Sequence, residues 1–318
     1  MFQHKKKMKK VIIIIFALCI IGTNLQAEEI YSETFGDNKN PAIVFFHGGP
    51  GYNSANFERS AAEDLAEKGF FVVVYDRRGE GRSSSENAAF TFEQSFEDID
   101  FLLKKYDINN SSFIGHSFGG ILACKYAEKY PEKVRSIYLV GAPVSLQKSF
   151  KTIIKKCKDI YEKKGDSGNL KYITMLENMD TTSMQYASYC FMHAMQNGFY
   201  TPEELNSEAK QLYSQLAKDS VFNKYAAQMT YAAPQGFSDN EAYTTIDLTP
   251  IIKDLSNNNA IRIVGLYGKD DGLYSEKQID ELRELIGREN VLYFDNCSHN
   301  VFIDRKNEFI DALVNFEK

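Results

Sequence analysis

The stretch Ser111-Ser112-Phe113-Ile114-Gly115-His116-Ser117-Phe118-Gly119-Gly120-Ile121-Leu122-Ala123-Cys124-Lys125-Tyr126-Ala127 decides how the whole chain reads. Residues 111–114 read as a strand and 121–127 as a helix. Between them Gly115-His116-Ser117-Phe118-Gly119 spells G-x-S-x-G, and strand, sharp turn, helix is the setting that a nucleophile elbow requires. A serine on so tight a turn takes strained backbone angles, and side chains two residues to either side would collide. Glycine at 115 and 119 removes those side chains. The turn lifts the Ser117 hydroxyl above the sheet and aims the amides that follow at the same point. Ser117 is therefore the expected nucleophile.

Outward from the elbow, strand and helix patterns alternate. Pro41-Ala42-Ile43-Val44-Phe45-Phe46 is a nearly continuous apolar run, as in a strand buried on both faces. Residues 70–75 and 134–140 read the same way, and 28–35 supplies one more strand. Residues 57–68 form an amphipathic helix closed by Gly69. Residues 92–106 form another, with Phe92, Phe96, Ile99 and Leu103 at helical spacing. This alternation predicts an α/β fold: a mainly parallel central sheet with helices on both faces.

The rhythm breaks at 144–248, where no buried strand is expected. Leu146, Phe150, Ile153, Ile154, Cys157 and Tyr161 mark one helix; Met184, Ala187, Phe191 and Met195 mark a second. Thr201-Pro202-Glu203-Glu204 reads as a capping box with proline at the first helical position, leading into Leu205, Ala209, Leu212 and Leu216. Six of the eight methionines fall in this region, and such adaptable side chains suit a binding surface as well as a helical core. Strands resume at 261–267 and 291–294, with helices at 276–286 and 304–316. The expected plan is a first part of the α/β core at 28–143, a helical cap inserted at 144–250, and a second part of the core at 251–318.

The amino terminus has its own grammar. Lys5, Lys6, Lys7, Lys9 and Lys10 precede an apolar run at 11–22, and Asn24-Leu25-Gln26-Ala27 follows. That order is the signature of a cleavable export signal at 1–27. The apolar run is shorter than the ~20 residues a membrane-spanning helix needs. An uncleaved anchor is the alternative. Loss of the signal takes the net charge from −6 to −11, which argues against nucleic acid or anionic membrane as a partner. Cys124, Cys157, Cys190 and Cys297 remain, without C-x-x-C or metal spacing, so neither metal nor cofactor is expected.

A serine nucleophile needs a base, and the base an orienting acid. Of the five histidines, His299 alone stands between a late strand and the final helix, in Asn296-Cys297-Ser298-His299-Asn300. The strand ending at Tyr267 leads into Gly268-Lys269-Asp270-Asp271-Gly272. Asp271 is preferred as the acid, with Asp270 the alternative. The oxyanion needs two backbone donors. One is the amide of Phe118. The other is expected at Gly49, in the loop His47-Gly48-Gly49-Pro50-Gly51, where glycines allow close approach. Asp76-Arg77-Arg78-Gly79-Glu80-Gly81-Arg82-Ser83 reads as a structural turn in which Asp76 accepts backbone hydrogen bonds.

From about Ile30 onward, these motifs resemble the α/β-hydrolase superfamily. The His47–Gly51 pentad together with the Asp76–Ser83 turn looks like the proline iminopeptidase branch. The resemblance implies a serine hydrolase that removes an amino-terminal residue from small peptides. It also implies cap residues that hold the substrate's ammonium. The stretch nearest to the branch's Glu-Asn-His-Tyr-like motif is Gln196-Asn197-Gly198-Phe199-Tyr200, with glutamine in place of glutamate. Glu203, Glu204 and Glu241 are the other cap residues offered to substrate. Small acyl esters are the alternative substrates, and a catalytically silent binding protein is the reading from outside enzymes. Dehalogenase and epoxide hydrolase chemistry would require aspartate at position 117.

Overall fold

The computed structural model describes residues 30–83, 87–257 and 261–317. The expected export signal at 1–27 lies outside them. The described strands are β1 Ser32–Phe35, β2 Ala42–Phe46, β3 Phe71–Tyr75, β4 Ser111–His116, β5 Val134–Val140, β6 Arg262–Gly268 and β7 Val291–Phe294. They form one seven-stranded sheet in the order β1-β3-β2-β4-β5-β6-β7. β1 runs antiparallel to β3 and every other pair is parallel.

Both faces of the sheet are apolar because alternate residues of each inner strand are apolar in both directions. Val44, Phe46, Val73, Phe113 and Leu139 pack on one side. Ile43, Phe45, Val72, Ile114, Tyr138 and Leu266 pack on the other. The second face is closed by Phe57, whose ring stacks on Phe45, and by Phe302 and Phe309. Parallel register places the carboxyl ends of β2, β4, β5 and β6 along one edge, with Phe46 opposite Gly115 and His116 opposite Val140.

The helices are α1 Ala55–Phe57, α2 Glu63–Glu67, α3 Phe92–Lys105, α4 Phe118–Lys129, α5 Leu146–Lys164, α6 Ser167–Glu177, α7 Met184–Gln196, α8 Ser207–Leu216, α9 Ser220–Tyr225, α10 Ala232–Glu241, α11 Thr249–Asn257, α12 Glu276–Ile286, α13 Val301–Asp304 and α14 Lys306–Glu317. A π turn at Glu58–Ala62 joins α1 to α2, so the helix expected at 57–68 is present with one wide turn inside it. The final helix expected at 304–316 is split at Arg305 into α13 and α14.

Between β5 and β6 the described chain is helical. Its departure and return are stitched together: Ser145 bridges Asp247, and the Leu248 amide donates to the Val144 carbonyl at 2.7 Å. The stripe expected on α5 is buried throughout. That on α7 is displaced: Tyr186, Ala187, Cys190, His193 and Ala194 are inside, while Met195 is 56% exposed. A Tyr161–His193–Asn197 hydrogen-bond chain between α5 and α7 sets this rotation, with Tyr161 Oη 2.8 Å from His193 Nδ1. The capping box at 201–204 is not formed. α8 starts at Ser207, where the Asn206 side chain accepts from the Ala209 amide at 2.7 Å. Residues 199–203 are instead held by long-range bonds described below.

Candidate active site

Ser117 stands between β4 and α4 at φ +52°, ψ −122°. A non-glycine residue there costs on the order of 1–3 kcal/mol, which the surroundings must sustain. They do so from both sides. Its amide donates to the Val140 carbonyl at 3.0 Å, and its carbonyl accepts from the Gly120 amide at 2.9 Å. A Cβ on Gly115 would lie 2.5 Å from the Gly120 Cα, and one on Gly119 would lie 2.1 Å from the Phe46 carbonyl oxygen. The two glycines are thus required by backbone contact, one with α4 and one with the end of β2.

The turn after β6 and the loop after β7 touch backbone to backbone. A Cβ on Gly268 would lie 2.1 Å from the Cys297 carbonyl oxygen, and the Asp270 amide donates to that carbonyl at 2.9 Å. This contact brings Asp271 and His299 together, 1% and 5% exposed. Asp271 Oδ2 lies 2.8 Å from His299 Nδ1, and Asp271 Oδ1 accepts from the Leu273 amide at 3.0 Å. A carboxylate can only accept, so Nδ1 carries the proton and Nε2 is left with the lone pair of a base. The ring centroid of His299 is 4.8 Å from that of His116, the residue before Ser117. Burial, with His299 next in importance, holds the His116 pKa well below the usual histidine range. Asp270 is turned elsewhere and accepts from the Glu203 amide at 3.3 Å.

The 47–51 loop lies against the elbow, since a Cβ on Gly48 would come within 3.2 Å of the Ser117 Cβ. Gly49 takes φ +116° and is followed by a cis bond to Pro50. What shapes this loop is a buried ion pair. Arg77 Nε and Glu80 Oε1 are 2.8 Å apart with side chains 3% and 0% exposed. The guanidinium also donates to the carbonyls of His47 at 2.5 Å and Gly48 at 2.7 Å, while Glu80 Oε2 accepts from the Gly51 amide at 2.6 Å. In a trans peptide the carbonyl and the following N–H point in opposite directions. With the Gly48 carbonyl on Arg77, the Gly49 N–H therefore faces away from the guanidinium. The same guanidinium lies 5.1 Å above the Phe118 ring, so one cation braces both residues expected to supply oxyanion donors. His47 completes the loop: Nε2 accepts from the Arg77 amide at 3.0 Å and Nδ1 donates to the Gly48 carbonyl. Burial first, then Arg77, pushes its pKa well down.

The turn at 76–83 has the expected acceptor. Asp76 takes the Ser54 amide at 2.8 Å and the Arg82 amide at 2.8 Å. The structural role of Arg77 and Glu80 was not visible from the sequence. The available signal was two opposite charges three residues apart, directly after a strand apolar on both faces.

The cap residues offered to substrate do not converge on Ser117. Glu241 Oε1 accepts from the Phe92 amide at 2.7 Å, at the first turn of α3. Gln196, Glu203 and Glu204 are exposed. The cap reaches the site through other residues. The Tyr200 ring stands edge-on to His299 at 5.1 Å, and Phe237 and Tyr243 pack on Phe118 at 5.0 and 5.4 Å. The Phe199 carbonyl accepts from both the Gly272 amide and Ser298 Oγ, each at 3.0 Å. Those two donors neighbour Asp271 and His299. The Thr230 amide donates to the Gly51 carbonyl at 2.8 Å, closing the cap on the glycine-rich loop.

Residues 41–162 match a family model described as the α/β-hydrolase fold. Over 93% of its length the chain is 24% identical to a proline iminopeptidase of Saccharolobus solfataricus, covering 94% of that protein. Among solved structures, a proline iminopeptidase-related protein from Thermus thermophilus superposes with a TM-score of 0.63 at 21% identity, covering 90% of this chain and 92% of that one. A carboxylesterase from Nitrososphaera gargenis gives 0.57 at 20%, covering 90% and 93%. Strand order, the elbow between β4 and α4 and the full-length relatives agree: the chain has the α/β-hydrolase fold and resembles the proline iminopeptidase branch.

Proposed function

We propose that the protein is a serine hydrolase working through an acyl-enzyme. The observation that carries this reading is the buried 2.8 Å bond between Asp271 and His299, whose ring lies against His116, the residue before a serine at φ +52°. Ser117 Oγ attacks the substrate carbonyl while His299 Nε2 takes its proton. The amides of Gly49 and Phe118 receive the oxyanion. His299 then gives the proton to the departing amine or alcohol. Water, deprotonated by the same imidazole, releases the acid and restores Ser117.

For the substrate, the full-length likeness to a proline iminopeptidase and the His47–Gly51 loop support a peptide with a free amino terminus. One observation favours the second reading, a carboxylesterase. Glu241 is committed to α3, Glu203 and Glu204 are exposed, and aromatic side chains of the cap pack on Phe118 and His299. A buried ammonium without a carboxylate costs several kcal/mol, whereas an ester has none to bury. Aminoacyl-naphthylamides and nitrophenyl esters assayed side by side on the purified protein decide the matter. Equal cleavage of amino-free and amino-blocked substrates ends the aminopeptidase reading. A fluorophosphonate that labels the wild type but not Ser117→Ala is expected, and failure to label the wild type would leave a silent binding protein. Export is part of the same proposal: intact mass of protein from an exporting host should place the mature start near Glu28.

A further inference from the structure

Lys156 sits on α5, about three turns from its start, and is only partly exposed. Its Nζ leaves the cap and reaches the turn that carries the acid. It donates to the Tyr274 carbonyl at 2.8 Å and to the Asp271 carbonyl at 3.4 Å. Among the described residues no carboxylate lies within ion-pair distance of it. The other cations near the site are paired: Arg77 with Glu80, Lys269 of the acid turn with Asp295, and Arg305 with Glu308.

We propose that Lys156 is a positioning residue for the hydrolytic reaction, holding the Asp271 turn from the cap and stabilising the ionised acid beside a neutral imidazole by its charge. The proposal rests on the reading of Ser117, Asp271 and His299 given above. A lysine is a compact point charge with three donors, and two of its donors here are spent on carbonyls rather than on a counter-ion. Its field is therefore free to act on the pair behind those carbonyls. A nearby cation favours carboxylate over carboxylic acid and imidazole over imidazolium, and both effects extend activity to lower pH.

The other titratable groups around the pair do not supply that charge. His116 faces the imidazole from the elbow and is held neutral by burial. Tyr200 faces it from the cap. Asp270 and Tyr274 share the acid turn; Tyr267 stands beside Tyr274, and Cys297 and Asp304 flank the base loop. Each of these is neutral or negative at neutral pH. Burial lowers the pKa of Lys156 itself, and the Asp271 carboxylate opposes that lowering.

The test is the pH dependence of fluorophosphonate inactivation for the wild type and for Lys156→Arg, Lys156→Gln and Lys156→Met. Gln keeps a donor for the carbonyls and loses the charge; Arg keeps the charge; Met loses both. The low-pH limb should move up by about half a unit to one unit in Gln and Met, a roughly 3- to 10-fold lower rate on the limb, and stay in place in Arg. Gln and Met limbs coinciding with the wild type would overturn the proposal, as would an Arg limb displaced as far as that of Met. If Met does not fold, Gln against Arg decides alone. Failure of the underlying reading looks different: the wild type is then not labelled, or Ser117→Ala is labelled as well.

Discussion

Residues 113–120 and residues 197–206 both border His299, yet different physics shapes them. The first stretch is fixed by the tight approach of its own backbone: a Cβ on Gly115 would lie 2.5 Å from Gly120 in the same turn, and one on Gly119 would lie 2.1 Å from Phe46 at the end of the neighbouring strand. The second is fixed from afar. The Phe199 carbonyl answers to Gly272 and Ser298, and the Glu203 amide to Asp270, each at least 67 residues distant in sequence. A site can therefore be half dictated by its own turn geometry and half by where other loops happen to hold a passing segment.

The largest effect tests the loops that the distant contacts serve. Asp271→Asn should lower turnover about 10⁴-fold, because an amide can hold the wrong imidazole tautomer. Asp270→Asn removes only an acceptor for Glu203 and should cost little. Steady-state kinetics on both variants compare them, and the reverse ranking would mean that the buried bond is not the working one.

Next comes the ion pair under the glycine-rich loop. Arg77→Met leaves Glu80 buried without its partner and should destabilise the fold by about 3–5 kcal/mol. The double variant Arg77→Met, Glu80→Met should be the more stable of the two in urea melts. Equal losses would show that the pair acts through its backbone bonds alone.

Asp304 links the loop that carries His299 to the cap. It accepts from the Ser298 amide and from Tyr213 of the cap, each at 2.9 Å. Burial raises its pKa to about 6. Because the folded value lies above the unfolded one, the native state binds the extra proton. Its contribution is present below the unfolded pKa and is lost as pH rises through about 6. Wild type should therefore lose up to about 3 kcal/mol relative to Asp304→Asn between about pH 4 and pH 6, read as diverging melting temperatures. Parallel curves would remove Asp304 from that account.

The smallest effect concerns Glu241. Glu241→Gln keeps an acceptor for Phe92 and loses only the charge at the start of α3. The expected cost is about 0.3–1 kcal/mol. Cleavage of amino-free substrates should fall no more than that of esters. A selective loss would return Glu241 to the substrate.

How far the sequence could be read follows the same division. The strands around β2 to β5 were visible because each is apolar on both faces, and the elbow because glycine spacing reports its own turn. Even the choice of Asp271 over Asp270 for the bond to His299 agrees with its place three residues after Gly268. In the cap, Thr201-Pro202-Glu203-Glu204 carries every local mark of a helix start, and the helix begins at Ser207 instead. Glu241 looked free for substrate and is tied to Phe92 across 149 positions. Arg77 and Glu80 looked like turn residues and lie under the loop beside Ser117. In each case the deciding partner is remote in sequence, where composition and periodicity carry no information.

The shared Phe199 carbonyl has a consequence for recombination. Gly272 and Ser298 belong to the core, and their common acceptor belongs to the cap. A core trimmed at the Ser145–Asp247 bridge would keep Ser117, Asp271 and His299 in its sequence while orphaning two donors beside the last two. The same would hold for a cap borrowed from a relative that lacks an equivalent of residue 199. The unit that can be exchanged between such enzymes is thus smaller than the helical insertion. Its crossover points must leave residues 197–203 with the turns they brace.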